Sequence, residues 1–230
     1  AIIFWLFCIL LTLTLYIKLS MTKIYKFQDD ISQDALKELE KCSSLAIDTE
    51  GTGLDITKRD KLSLIQICGE NGDVYVVQPD RKNYKAPNLV SILENKNILK
   101  IGHFLRFDKS ALEYFLKCKI KNIFDTKIAS KCVRTYTDQH GLKNLVYEFC
   151  NKNLDKRQGS SDWNKDISEL TDKQLEYAAN DVIYLHKIKG ELEKMLIREK
   201  RMDLYKSCIN FLDTRIELDQ AGFKFDIFEH

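Results

Sequence analysis

The 230-residue chain is poor in the residues that break or loosen structure: two prolines and nine glycines leave no collagen-like, low-complexity or linker-rich stretch. It also lacks cysteines paired at ligand spacing. Cys8, Cys42, Cys68, Cys118, Cys132, Cys150 and Cys208 are scattered, with no C-x-x-C and no cysteine-histidine cluster. That spacing gives no support to a zinc site or a disulfide framework and fits free thiols in a reducing compartment, the cytoplasm. Charge of either sign is not in excess. Thirty-six basic against thirty-four acidic residues leave a net charge of +2, too little to mark a nucleic-acid binder by bulk charge, so a polyanionic substrate has to be met by local groups or by metal. Outside residues 1–20 no long hydrophobic run occurs. Those twenty residues are almost wholly apolar and lack the basic start and small-residue cleavage site of a secretory signal. Their length suits a membrane anchor, which would be the chain's one membrane partner. An upstream in-frame extension is the preferred reading, because Met21 is followed at once by ordinary soluble sequence. Residues 21–230 then form a single domain, since 44% hydrophobic and 30% charged content supports one good-sized core and nothing divides it.

What is present is a change of period along the chain. A short strand over residues 24–27 and helical spacing over 30–42 precede an apolar run at Leu45, Ala46 and Ile47. A polar turn at residues 57–61, a strand over 62–68, the turn Asn71-Gly72-Asp73 and a strand over 74–77 follow. Short turns between consecutive strands predict an antiparallel meander. Helix and strand then alternate: helix 89–94, strand 98–101, helix 104–116, strand 123–125, and helices beyond. A meander followed by alternating elements predicts an α/β fold, a mixed sheet flanked by helices.

Three acidic points stand out on this frame. Asp48 and Glu50 lie two apart at the end of a predicted strand, on one face, just before the glycine turn Gly51-Thr52-Gly53-Leu54. Alone, this D-x-E reads equally as a solvated acidic turn or as a site for a hard divalent cation. Asp108 follows among Phe104, Leu105, Phe107 and Leu112, where an exposed helix position is the commoner reading. The third point is a capping box at Thr171 to Gln174 that opens one long helix whose apolar spacing continues to Met195. On that helix Tyr177 and Asp181 are four apart and share a face. Between the last two points, Asp125-Thr126-Lys127, Arg134 to Lys143 and Lys156 to Trp163 are rich in hydroxyl, amide and basic groups, the types that contact phosphate and sugar.

The D-T-E-G-T-G-L from Asp48, the H-x-x-x-x-D from His103 to Asp108 and the Y-x-x-x-D from Tyr177 to Asp181, in that order, resemble the three motifs of the DEDDy 3′-5′ exonucleases of the ribonuclease D group. The segments T-K-I-A-S at Thr126, R-T-Y-T-D-Q-H-G-L at Arg134, S-S-D-W at Ser160 and D-I-F-E-H at Asp226 are similar to its nanoRNase C branch. The resemblance implies an RNase H-like fold. It implies two divalent cations, Mg²⁺ or Mn²⁺, on Asp48, Glu50, Asp108 and Asp181, with Tyr177 completing the catalytic set by orienting the attacking water. It further implies a base-stacking wedge at Leu54 and substrate contacts at His103, Ser160, Ser161 and Trp163. The activity implied is hydrolysis of dinucleotides and very short RNA oligonucleotides to nucleoside 5′-monophosphates by a homo-octamer. A broader ribonuclease D-type exonuclease trimming longer RNA or DNA ends is the alternative, and a binding protein that keeps the fold without catalysis is a third. Gly51 and Leu105 depart from the residues that relatives carry there, which leaves the pocket dimensions open.

Overall fold

The apolar runs form strands where the period predicts them: β1 (Ile24–Gln28), β2 (Ser44–Gly51), β3 (Leu62–Cys68) and β4 (Val74–Gln78). The computed structural model describes residues 22–53, 55–154, 161–223 and 225–229; the apolar residues 1–20, Leu54 and Ser160 lie outside these. Strand β2 pairs antiparallel with β3, and β3 with β4, as the meander requires. Gly72, at φ +83°, makes the tight turn between β3 and β4 that a Cβ would strain. The parallel part follows through α2 (Pro87–Glu94), β5 (Leu99–Gly102), α3 (Arg106–Leu116) and β6 (Ile123–Asp125). The six strands of the sheet run in the order β1-β4-β3-β2-β5-β6, with β2, β5 and β6 parallel. The predicted α/β architecture is therefore the one that forms.

Strand alternation sorts the core onto the two faces of the sheet. Ala46, Val74, Val76 and Ile101 join one apolar cluster with α4 (Thr126–Val133), α5 (Leu142–Cys150), α6 (Asp172–Asn180) and α7 (Leu185–Arg198). Leu45, Ile47, Ile65, Ile67 and Val77 join the other with α2, α3, α1 (Gln33–Leu39) and α8 (Met202–Gln220). With helices on both faces of the sheet, every position of β3 and β4 is buried, Ser63 and Gln66 included.

Two helices differ from expectation. Helix α1 is shorter than the 30–42 spacing predicted, because Ser32 caps it and the carboxylate of Asp30 instead accepts the N–H groups of Asn88 and Leu89 at the start of α2. The single long helix predicted from Thr171 to Met195 is two. The capping box at Thr171 does start α6, but the backbone tightens after it: Val182 N and Leu185 N donate to the carbonyls three residues back before α7 begins. Asn180 and Asp181 are weak helix formers, and Val182 and Ile183 are β-branched, so the break falls where propensity is lowest. Apolar period alone cannot see it, since both halves bury the same stripe.

Candidate active site

The C-terminal end of β2, whose parallel neighbour is β5, meets the end of α6. Asp48 and Glu50 share the β2 face of Ala46 and so point toward the α6 side; Thr49 points the other way. From the end of α6, Asp181 completes a cluster: one oxygen from each of Asp48, Glu50 and Asp181 lies within 4.8 Å of the other two. Three carboxylates that close are mutually repulsive unless a cation offsets them, and their all-oxygen donors match a hard divalent ion. The residues present therefore fit such an ion.

Tyr177 stands one turn before Asp181, and its hydroxyl bonds the Asp181 carboxylate. Burial first, and then the charges of Asp181, Glu50 and Asp48, hold the phenol above its ordinary value, so it is an O–H donor at neutral pH. It is unsuited to being a base.

Asp108 reaches the site from the opposite face. It is buried, at 8% exposure, rather than on an exposed helix surface, and it accepts a 2.6 Å hydrogen bond from Thr49 Oγ1. Burial pushes its carboxyl up to about 6, against the pull of the Thr49 hydroxyl. Thr49, the middle residue of the D-T-E motif, is thus the link between the two acidic segments. Asp108 and Glu50 line one hollow with Gly51, Gly53, Lys61 and Phe107, although Asp108 is not among the three acids whose oxygens converge.

The loop that leads into α3 is held from beneath by Asp125. This fully buried carboxylate accepts the N–H groups of Phe104 (3.3 Å), Leu105 (2.7 Å), Lys127 (2.8 Å) and Ile128 (2.9 Å). It caps α4 and fixes Phe104 at φ +71°, a costly conformation for a non-glycine residue. Thr126 Oγ1 donates to Gly102 O at 3.0 Å, so its one proton is spent. His103 Nδ1, 2.9 Å away, must then be the donor in that pair, which fixes the ring's tautomer. The sequence marks Asp125 only as part of a polar segment and not as an anchor; an Asp at a strand-to-helix junction is the N-cap signal that points to this role.

A family model described as 3′-5′ exonuclease matches residues 25–197. The chain belongs to this 3′-5′ exonuclease family. The chain is 34% identical over 164 residues to DNA polymerase I of Aquifex aeolicus, covering 70% of this chain and 26% of the polymerase. It is 29% identical over 191 residues to ribonuclease D of Gluconacetobacter diazotrophicus, covering 83% and 46% of the two chains. It thus spans about a quarter and under half the length of these curated relatives. Among solved structures, NrnC of Brucella melitensis superimposes with a TM-score of 0.84 at 42% identity, over 90% of this chain and 98% of that one. NrnC has also been solved with pGG bound and with Mg²⁺ bound, at 41% identity each.

The remaining predicted substrate contacts divide by position. Trp163 is buried and packs on Tyr177, ring centroids 6.0 Å apart, so it backs the tyrosine from the core. Ser161 is half-buried and lines a shallow hollow with Asp162, Lys165 and the first turn of α6. Leu54 and Ser160 fall outside the described residues, and of the tip of the glycine turn only Gly53 and Asp55 flank that position. Among the described residues no helix is long and apolar enough to cross a membrane.

Proposed function

We propose that this exonuclease is a divalent-metal-dependent 3′-5′ exoribonuclease that hydrolyses dinucleotides and very short RNAs to nucleoside 5′-monophosphates. The observation that carries the reading is the convergence of Asp48, Glu50 and Asp181 beside Tyr177, whose hydroxyl bonds Asp181. The likeness over nearly whole chains to NrnC, which was solved with pGG and with Mg²⁺, supports the choice of substrate and ion.

In this reading Asp48, Glu50, Asp108 and Asp181 hold two Mg²⁺ or Mn²⁺ ions. When bound, the ions supply Lewis-acid stabilisation of the attacking and leaving oxygens. Tyr177 donates its O–H and orients the water for in-line attack at phosphorus. The bond from phosphorus to the ribose O3′ breaks, O3′ takes up a proton, and the released nucleotide keeps a 5′-phosphate. His103, its tautomer set by Thr126, contacts the substrate from the end of β5, and Ser160 and Ser161 are further substrate contacts. Trp163 acts by backing Tyr177. Leu54 serves as the wedge between two bases, a contact that is sequence-independent because any base offers a stacking face. The chain works as a homo-octamer in the cytoplasm, with the apolar tail around Phe225, Ile227 and Phe228 as the subunit contact.

A second reading, trimming of longer RNA or DNA ends, is favoured by the ribonuclease D relatives. A time course on 5′-labelled RNAs of two to seven nucleotides separates the two. The proposal expects the dinucleotide to be consumed fastest and longer chains to stall; equal rates at every length would select the second reading.

A further inference from the structure

Helix α3 carries Asp108, and three side chains that bracket it are bonded to a single neighbouring helix, α8. Arg106 sends Nε and Nη2 to the two carboxylate oxygens of Asp219, at 2.5 Å each. Lys109, 2% exposed, reaches Asp213 at 2.6 Å while also bonding Glu113 on its own helix. Ser110 Oγ accepts from Gln220 Nε2 at 3.1 Å. These partners stand two before, one after and two after Asp108 along α3. The apolar contribution of α8 to this face is small, with Leu212 and Ile216 its buried members. Apolar packing sets how close two helices lie but only loosely how they slide and turn, whereas a forked guanidinium-carboxylate pair fixes both.

Asp219 is itself held twice. Arg215, one turn back on α8, binds it at 2.6 Å and with the same guanidinium takes the carbonyls of Phe223 (2.8 Å) and Phe225 (3.3 Å). Tail, α8 and the site helix therefore converge on one carboxylate. The family match ends at residue 197, so α8, at Met202–Gln220, lies beyond the matched segment.

We propose that Asp219 is a positioning residue of the reaction: through Arg106 it sets the rotation and height of α3, and so places Asp108 against Thr49 and the acids of β2. The proposal rests on the assignment of Asp108 to the cation site. It identifies α8 as a splint for that site, with the C-terminal tail able to act on catalysis through Arg215.

The test uses the full chain with Asp219→Asn, which removes the charge and keeps the shape, together with Arg106→Gln, the double variant and Asp219→Glu. Mn²⁺ binding by calorimetry, kcat and KM on a dinucleotide, and the melting temperature are measured in parallel. Groups that orient a ligand from behind are worth roughly 10–100-fold in metal affinity or activity. Asp219→Asn should therefore weaken Mn²⁺ binding and lower kcat by about 10-fold, near the lower end of that range. KM should stay within about twofold, the double variant should be no worse than the worse single one, and Asp219→Glu should recover part of the loss, as a shared pair requires. Unchanged Mn²⁺ affinity and kcat would overturn the proposal, and so would a loss that only follows the unfolded fraction. Asp108→Asn is run alongside. An effect there with none at Asp219→Asn removes the splint alone, whereas no effect at Asp108→Asn removes the cation assignment beneath it.

Discussion

Tyr177→Phe deletes one hydroxyl and keeps the ring that packs on Trp163 at 6.0 Å, so it tests the phenol with little disturbance of the core. In the folded chain the phenol is held protonated by burial and by Asp181, Glu50 and Asp48, and its O–H bonds the Asp181 carboxylate. A hydrogen bond to a charged group is worth about 1.5–3 kcal/mol. A contact of that strength that tightens only as charge develops raises the barrier by the same amount when it is lost, about 10–150-fold in kcat at 1.36 kcal/mol per decade. KM should stay within about twofold, because the group does not hold the substrate in its ground state. The measurement is kcat and KM on a 5′-labelled dinucleotide at saturating Mg²⁺, with single-turnover rates to show that chemistry is being read. A variant within twofold of the parent in kcat would refute the role given to the hydroxyl. A loss confined to KM would refute it as well, by making Tyr177 a substrate contact.

Three further outcomes follow from the same geometry. Gly102 has no room for a side chain: a Cβ there would sit 2.2 Å from Leu105 Cδ2 and 3.3 Å from Ile47 O. Gly102→Ala should therefore cost about 1–3 kcal/mol, typical of overpacking, with lower kcat because the displaced Leu105 shares Asp125 with Phe104; an unchanged melting temperature would contradict this. Asp125→Ala strands the N–H groups of Phe104, Leu105, Lys127 and Ile128, and at about 1–3 kcal/mol per unsatisfied buried group chemical denaturation should show a loss of at least about 3 kcal/mol. Lys100 is fully buried, and burial lowers it from 10.5 to about 8. The unfolded chain therefore binds more protons than the folded one between these values, so this residue's contribution makes stability rise with pH across that window. Comparing parent and Lys100→Met by denaturation at pH 8 and 10 should show that contribution missing in the variant, and identical pH slopes would contradict it.

Much of this was legible from residue order because it depends on local period. The strands at Leu62–Cys68 and Ile123–Asp125 fall at their predicted bounds, and the capping box at Thr171 starts a helix as read. Side-chain parity puts Asp48 and Glu50 on one face, and their meeting with Asp181 was expected from the resemblance of the three motifs. What was not legible depends on the far side of a contact. Asp108 looks like a surface acid until α3 is laid on β2, where Thr49 claims it. The break after Asn180 is invisible to apolar spacing because both helices bury one stripe. The bonds from α8 to Arg106, Lys109 and Ser110 span more than one hundred positions of chain, beyond the reach of any local rule.

The central claim is that Asp48, Glu50 and Asp181 form a divalent-cation site on which hydrolysis depends. Its most direct test is calorimetric titration of Mn²⁺ into the full chain and into Asp48→Asn and Asp181→Asn, with product analysis on a 5′-labelled dinucleotide in the same samples. The account predicts Mn²⁺ binding and release of nucleoside 5′-monophosphate by the parent, and loss of both, by at least about 10-fold in affinity, in each variant. Undiminished Mn²⁺ binding or undiminished hydrolysis in either folded variant would contradict it.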